Sequence, residues 1–388
     1  MKIGIDARAA KLYRGTGIGT YTYQLINCLN KIDTTNDYLL FMPDNSNIDI
    51  NFSEKFKINN INENVSSNFW DQVNVPNILS NKDIQLYHVP QNGVGIPLDK
   101  ICPFVITLHD VIPYKMPETV SDRYLHIFNE ELPSIVSLCD GIITVSNFSK
   151  DDIAKAFNFP ANKIYVTYLA AENIYKPLNK KISKEIIKNN YGITGDFILY
   201  VGGFSPRKNI IGLLQAFEKL LSKTKKDLKL VIAGTKGKSY ENYKSCAEKL
   251  HIENKVIFPG FIPVNYMPYL YNSAELFVYL SLYEGFGLPP IEAMACGVPV
   301  VASNVTSLPE ILKDCTLLVN PKDEDKISNT LYRGITDNKL RRELIYKGLS
   351  INQKLTWENT AASTLTAYKK IINSLSVSYT HLTLPTKA

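Results

Sequence analysis

Two successive series of alternating strand and helix constrain this chain more than any other feature. Short apolar, β-branched stretches recur at residues 2–6, 38–42, 85–88, 104–108, 141–145 and 163–168, with helical periods near 19–32 and 121–137. A second series runs through 197–201, 228–233, 256–258, 276–279 and 298–302, with helical periods near 210–223, 265–272 and after Gly287. Strands separated by helices lie parallel and are covered on both faces. The expected class is therefore α/β, with two Rossmann-like domains, residues 1–180 and 181–355, facing across a cleft. An Asn/Lys-rich connection near 176–190 joins them, and ligands are expected at the carboxyl ends of the strands. Residues 356–376 hold a closing amphipathic helix. Residues 44–81 are polar and Asn-rich and read as a variable excursion.

Composition narrows the partners. A length of 388 residues gives each domain enough chain for its own core. The net charge of +6, from 43 Lys plus Arg against 37 Asp plus Glu, is mild and dispersed, so nucleic acid is not an expected partner. The six cysteines stand singly, without a Cys-x-x-Cys pair or zinc-like spacing to histidine, and read as reduced core residues of a cytoplasmic protein. The chain opens directly on a strand, without the pattern of a signal peptide. No apolar run approaches the roughly 18 residues of a spanning helix, so any membrane contact is expected to be peripheral, at the inner face. Residues 377–388 (VSYTHLTLPTKA) break the helical pattern before them, resemble a translated sequencing adaptor, and are set aside as a non-native tail.

The chemistry concentrates in SLYEGFGLPPIEAMACGVPVVAS, residues 281–303. Two carboxylates, Glu284 and Glu292, flank a Gly-Phe-Gly-Leu-Pro-Pro turn that leads into a helix, a Cys-Gly stop and a buried strand. A helix start offers unpaired N–H groups and a positive dipole end to an anion. Gly285 and Gly287 let backbone approach a ligand closely. An anion site between two hydroxyl-accepting carboxylates suits a nucleotide-sugar; the plainer alternative is a helix-capping acid beside a solvated one. Upstream, Gly202 and Gly203 follow a strand in YVGGFSPRKN, and Arg207 and Lys208 precede a helix. That arrangement makes a diphosphate cradle, unless it is simply an exposed basic loop.

The Glu-x7-Glu stretch resembles the signature of the glycosyltransferase family 4 enzymes, retaining transferases of the GT-B fold, and the resemblance extends over roughly residues 1–373. It implies that Arg207 and Lys208 hold the donor diphosphate and help the nucleotide leave. Glu284 then binds the transferred sugar, Glu292 the ribose hydroxyls, and the backbone of Phe286, Gly287 and Leu288 lines sugar and phosphate. Some members carry an arginine directly after the first glycine; Gly203 stands there in this chain, which shifts the cationic role to Arg207. Gly234, Phe261 and Ile262 match positions that pack the nucleotide base, although an apolar pair after a strand is equally core-like. His109 in TLHDVIP matches the family's active-site histidine, with Asp110 orienting the adjoining backbone; His88, at another strand end, is either site wall or core. Gly15, Gly17 and Ile18 match a loop that approaches donor diphosphate and acceptor. The resemblance further implies that the closing helix crosses back to the first domain.

The expected activity is front-face transfer of a hexose from a nucleoside diphosphate sugar to a hydroxyl of a glycan or lipid-linked acceptor in surface polysaccharide biosynthesis. The RKN and EGFGLPPIEAM sub-patterns look most like mannosyltransferases, so GDP-mannose is the first-choice donor, with UDP-glucose, UDP-N-acetylglucosamine and dTDP-rhamnose open. No cofactor or metal is expected: Asp323-Glu-Asp325 reads as the acidic first turn of a helix rather than a metal motif. Two rivals are a non-catalytic nucleotide-sugar-binding partner of the same fold and an NAD-dependent oxidoreductase. Only the first glycine loop suggests the latter, and the expected ribose-binding acid is not evident.

Overall fold

The computed structural model describes residues 1–43, 48–61, 79–80, 82–97, 99–237 and 239–382, with side chains to residue 375. Thirteen strands lie among these residues. In the first unit they are β1 (Lys2–Asp6), β2 (Asp37–Pro43), β3 (Phe56–Ile61), β4 (Leu86–Val89), β5 (Phe104–Thr107), β6 (Gly141–Thr144) and β7 (Ile164–Val166). They form one parallel sheet in the order β3-β2-β1-β4-β5-β6-β7. The second sheet holds β8 (Asp196–Val201), β9 (Leu228–Ala233), β10 (Val256–Gly260), β11 (Leu276–Tyr279), β12 (Val300–Ser303) and β13 (Leu317–Val319), ordered β10-β9-β8-β11-β12-β13. Both orders reverse beside their first strand, between β1 and β4 and between β8 and β11. Each sheet thus has one switch point, where loops diverge and leave a crevice.

Central strands β4, β5, β6, β11 and β12 are buried along their whole length, as two-sided coverage by helices requires. The covering helices show the matching stripe. Tyr21, Leu25, Ile26 and Leu29 are buried on Gly17–Ile32, and Leu213, Leu214, Phe217 and Leu220 on Ile210–Leu221. Side-chain caps fix several starts. Thr16 accepts from the Gly19 N–H, Asn179 from Ile182, Asp323 from Lys326 and Asp337 from Leu340.

The compact units are discontinuous in sequence. One comprises Met1–Lys115, Ser121–Leu169 and Trp357 onward; the other comprises Met116–Val120 and Ala170–Thr356. Residues 170–180, expected with the first half, pack with the second. Tyr175 meets the Tyr271 ring edge-on at 5.6 Å, and the Leu178 N–H donates to Asn272 Oδ1 at 2.7 Å. Part of the expected connection is the helix Lys180–Tyr191, closed by Gly192 in the left-handed conformation. The closing helix returns to the first unit. Thr360 Oγ1 donates to the Tyr168 carbonyl at 2.6 Å, and Ile371 fills the space where a Gly141 Cβ would sit. It extends as Trp357–Leu382, so 377–382 continue the helix that the sequence pattern ended at 376.

β3 was not expected from sequence; FKINNI is half polar because β3 lies at the sheet edge. Residues 44–47, 62–78 and 81 of the expected excursion lie outside the described residues. Among the described residues, no helix is long and apolar enough to cross a membrane.

Candidate functional site

In the second unit, three glycines end β8, β9 and β10 in contact with one another. The Gly202 N–H donates to the Ala233 carbonyl at 3.0 Å, and the Gly234 N–H to the Gly260 carbonyl at 3.0 Å. A Cβ on Gly234 would lie 1.9 Å from the Gly202 oxygen, so this approach admits no side chain. Tyr200 donates to the Gly203 carbonyl at 2.9 Å and pins the loop from below. The chain then makes a short turn, Pro206–Lys208, and enters the helix Ile210–Leu221 through Asn209.

This turn delivers Arg207 and Lys208 to the loop after β11. Glu284 Oε1 accepts from Arg207 Nη1 at 2.7 Å, Lys208 Nζ at 2.5 Å and Tyr279 Oη at 3.0 Å. Lys208 and Glu284 are only 8% and 7% exposed, so this is a buried pair and not a solvated loop. Burial alone would push the Glu284 carboxyl up, but Arg207 and Lys208 outweigh it and hold it down to about 2. The backbone is fixed as well. The Glu284 N–H donates to Thr306 Oγ1 at 3.2 Å, and Ser307 Oγ to the Glu284 carbonyl at 2.8 Å.

Gly287 opens the helix Leu288–Ala295 with φ of 101°, where a Cβ would strike Leu308. Pro289 and Pro290 carry no N–H, so the helix start presents fewer free donors than the sequence reading expected. Phe286 is buried and Leu288 half-buried beside this turn. Glu292, one turn on, accepts from Tyr271 Oη at 2.7 Å. Burial pushes its carboxyl up to about 7; the Tyr271 and Tyr175 hydroxyls oppose this, and Glu172 adds to it. Of the two residues after Gly260, Ile262 is 5% exposed and belongs to the core, whereas Phe261 is 62% exposed. Only Phe261 is open to a ligand.

In the first unit, His109 follows β5. Its N–H donates to Asn92 Oδ1 at 3.0 Å, and its Nε2 lies 3.1 Å from the Pro90 carbonyl. A carbonyl only accepts, so Nε2 carries the proton. Burial pushes the imidazole down to about 4, against the Pro90 bond, and His109 is neutral near pH 7. Asp110 accepts from the Ile112 N–H at 3.0 Å and anchors the next turn. His88 is core. Its ring nitrogens meet Tyr368 Oη at 2.7 Å and Thr107 Oγ1 at 2.8 Å, and burial, then His109, holds it down to about 3.

The glycine loop stands apart from β1, because the helix Arg8–Leu12 intervenes. Gly15 and Gly17 are exposed and Ile18 half-buried. The glycine that sterics require is instead Gly19, whose Cβ would lie 1.9 Å from the Tyr13 carbonyl oxygen. Asp323 caps its helix, and Glu324 and Asp325 both pair with Lys219 at 3.0 Å. The acidic triplet thus divides between capping its own helix and pairing with the helix Ile210–Leu221.

Sequence reading missed Tyr279, Tyr271, Tyr175 and Glu172, which touch or face the two site glutamates. The three tyrosines look like ordinary aromatic core and Glu172 like a loop acid; a tyrosine ending a strand five residues before Glu284 was the available signal.

Two sheets of Rossmann order define the GT-B fold, and comparison with known proteins agrees. The model of "Glycosyltransferase Family 4" matches residues 15–171, and that of "Glycosyl transferases group 1" matches residues 183–350. The O-antigen chain mannosyltransferase B of Escherichia coli is 36% identical over 284 residues, 73% of this chain and 74% of that protein. Among solved structures, sucrose-phosphate synthase from Thermosynechococcus elongatus superposes with a TM-score of 0.76 at 20% identity, covering 96% of this chain and all of that one. HepE of Anabaena, solved with UDP and glucose, gives 0.67 at 17% identity, covering 97% and 99%. The chain belongs to the group 1, family 4 glycosyltransferases.

Proposed function

We propose that this protein is a retaining mannosyltransferase of surface polysaccharide assembly, using GDP-mannose without a metal and a glycan or lipid-linked hydroxyl acceptor. One observation carries the donor site: two cations, Arg207 and Lys208, converge on one buried carboxylate at the switch point of the second sheet. A diphosphate arriving there meets both cations and draws them from Glu284, leaving its carboxylate to the hexose. The relationship to an O-antigen mannosyltransferase supports mannose as the sugar, and HepE, solved with UDP and glucose, supports a nucleotide donor. With Asp323 capping a helix and Glu324 and Asp325 paired with Lys219, Arg207 and Lys208 supply the positive charge that offsets the diphosphate. A lipid-linked acceptor would place the reaction at the cytoplasmic face of the membrane.

In the reaction, the bond from C1 of the hexose to the diphosphate oxygen breaks and the acceptor oxygen bonds C1 from the same face. The acceptor proton passes to the departing phosphate oxygen. Arg207 and Lys208 stabilise the charge that grows on that oxygen. Neutral His109, with Nδ1 unprotonated, is suited to accept a hydrogen bond from a sugar hydroxyl.

The test is a panel of nucleotide-sugars, with and without EDTA, read by nucleoside diphosphate release and thermal shift. GDP-mannose should be selected and EDTA should have no effect. Lys208→Ala should lower turnover by about 10²–10³-fold while the far-ultraviolet circular dichroism stays native. Silence with every donor, or an unimpaired Lys208→Ala variant, would sink this function.

A further inference from the structure

Tyr279 is the last residue of β11, and its ring stacks against Tyr200 and Phe277, 6.2 Å from each. The side chain is fully buried, which fixes the position of its hydroxyl to that of the strand. Two polar partners meet that hydroxyl: Lys208 Nζ at 2.5 Å and Glu284 Oε1 at 3.0 Å. An ammonium only donates and a carboxylate only accepts, so the proton order is settled. Lys208 donates to the phenol oxygen, and the phenol O–H donates to Glu284. Burial, reinforced by the Glu284 charge, pushes the phenol up, so it keeps its proton.

Arg207, Lys208 and Tyr279 converge on one oxygen, Oε1, and the Ser281 hydroxyl also supports the carboxylate. Two of the three, Arg207 and Lys208, are the cations assigned above to the diphosphate, so donor binding draws both away from the carboxylate. A buried carboxylate stripped of both partners is costly and free to swing. Tyr279 cannot follow the cations, because its ring is locked in the strand.

We propose that Tyr279 is a positioning residue that retains the Glu284 carboxylate, and aims it at the transferred hexose, once the donor's diphosphate has taken Arg207 and Lys208. This rests on the donor site proposed above. It predicts an effect that depends on the hexose and not on the nucleotide, because GDP carries the diphosphate but nothing for Glu284 to hold.

Calorimetric titration of the full chain with GDP and with GDP-mannose, using wild type, Tyr279→Phe, Glu284→Gln and the double variant, separates the possibilities. In Tyr279→Phe the affinity for GDP should stay within about threefold of wild type, which also shows that the site is folded. Its preference for GDP-mannose over GDP should fall by about tenfold, the scale of a buried charge-assisted hydrogen bond. In the Glu284→Gln background the same substitution should add nothing, because the two residues act as one unit. An unchanged preference, a parallel loss of GDP affinity, or a full further loss in the Glu284→Gln background would each overturn the role of Tyr279 alone. A wild type that binds neither nucleotide would overturn the donor site, and the role of Tyr279 with it.

Discussion

Glu284 and Glu292 are the same residue type on one short loop-and-helix segment, and their surroundings drive them in opposite directions. Burial pushes both up, but Arg207 and Lys208 outweigh it at Glu284 and hold it down to about 2; at Glu292 burial, helped by Glu172, outweighs two phenols and pushes it up to about 7. The signs of their contributions to stability follow. Glu284 stabilises the fold above the ordinary carboxylate range, and that contribution is lost as pH falls from about 4 toward 2. Glu292 binds its proton more tightly when folded, so stability declines as pH rises from about 4 to about 7. Thermal melts should therefore show Glu292→Gln gaining on wild type more at pH 8 than at pH 5; an equal gain at both would contradict the raised value. If the ionised form accepts the ribose hydroxyls, wild-type affinity for GDP should rise with pH through about 7, and Glu292→Gln should flatten that profile. The glutamates were legible in the sequence, but their fields were not. Those fields come from burial and from Arg207, Lys208, Tyr271, Tyr175 and Glu172, which lie up to 120 positions from Glu292 in sequence and meet only in the folded protein.

At the scale of elements, legibility tracked burial. Strands buried on both faces announced themselves as β-branched runs, so β1, β4, β5, β8, β9 and β11 fall where hydrophobic pattern put them. The edge strand β3 and the half-exposed helix Lys180–Tyr191 carry Asn and Lys on their open faces and read as connection. The glycine-lined ends of β8, β9 and β10 show what pattern alone does not give. Gly234 is forced by the carbonyl of Gly202, a contact between loops 32 positions apart in sequence. Gly234→Ala should therefore separate these loops, with about 1–3 kcal/mol lost from stability and a larger fall in GDP affinity. Chemical denaturation and calorimetry would check it, and a variant with wild-type values for both would refute the contact. The helix start at Gly287 teaches a further lesson. Its place and dipole were legible, but its donor capacity was overestimated, because the two prolines that stiffen the turn also remove amide hydrogens.

For the whole molecule, the decisive feature is that the first sheet is completed by the last helix. Trp357 packs toward Tyr21, Tyr368 bonds His88 and Ile371 covers Gly141, all in the unit that holds residues 1–115. Residues 170–356 contain a whole sheet and its helices. That fragment should melt cooperatively and bind GDP within about tenfold of the full chain. Residues 1–169 alone should melt without a cooperative transition, and joining 357–376 by a flexible linker should restore one. A sharp transition from 1–169 by itself would show the closing helix to be dispensable. The same feature sets the order of events on the ribosome. Nascent chains ordinarily fold from the amino end forward. Here the middle of the polypeptide can close its core while residues 1–169 wait, with part of their sheet uncovered, for residues 357–371 to emerge. A message cut short late in this gene would therefore yield a chain with an intact second unit and an unfinished first one, a product that chaperones and proteases would recognise.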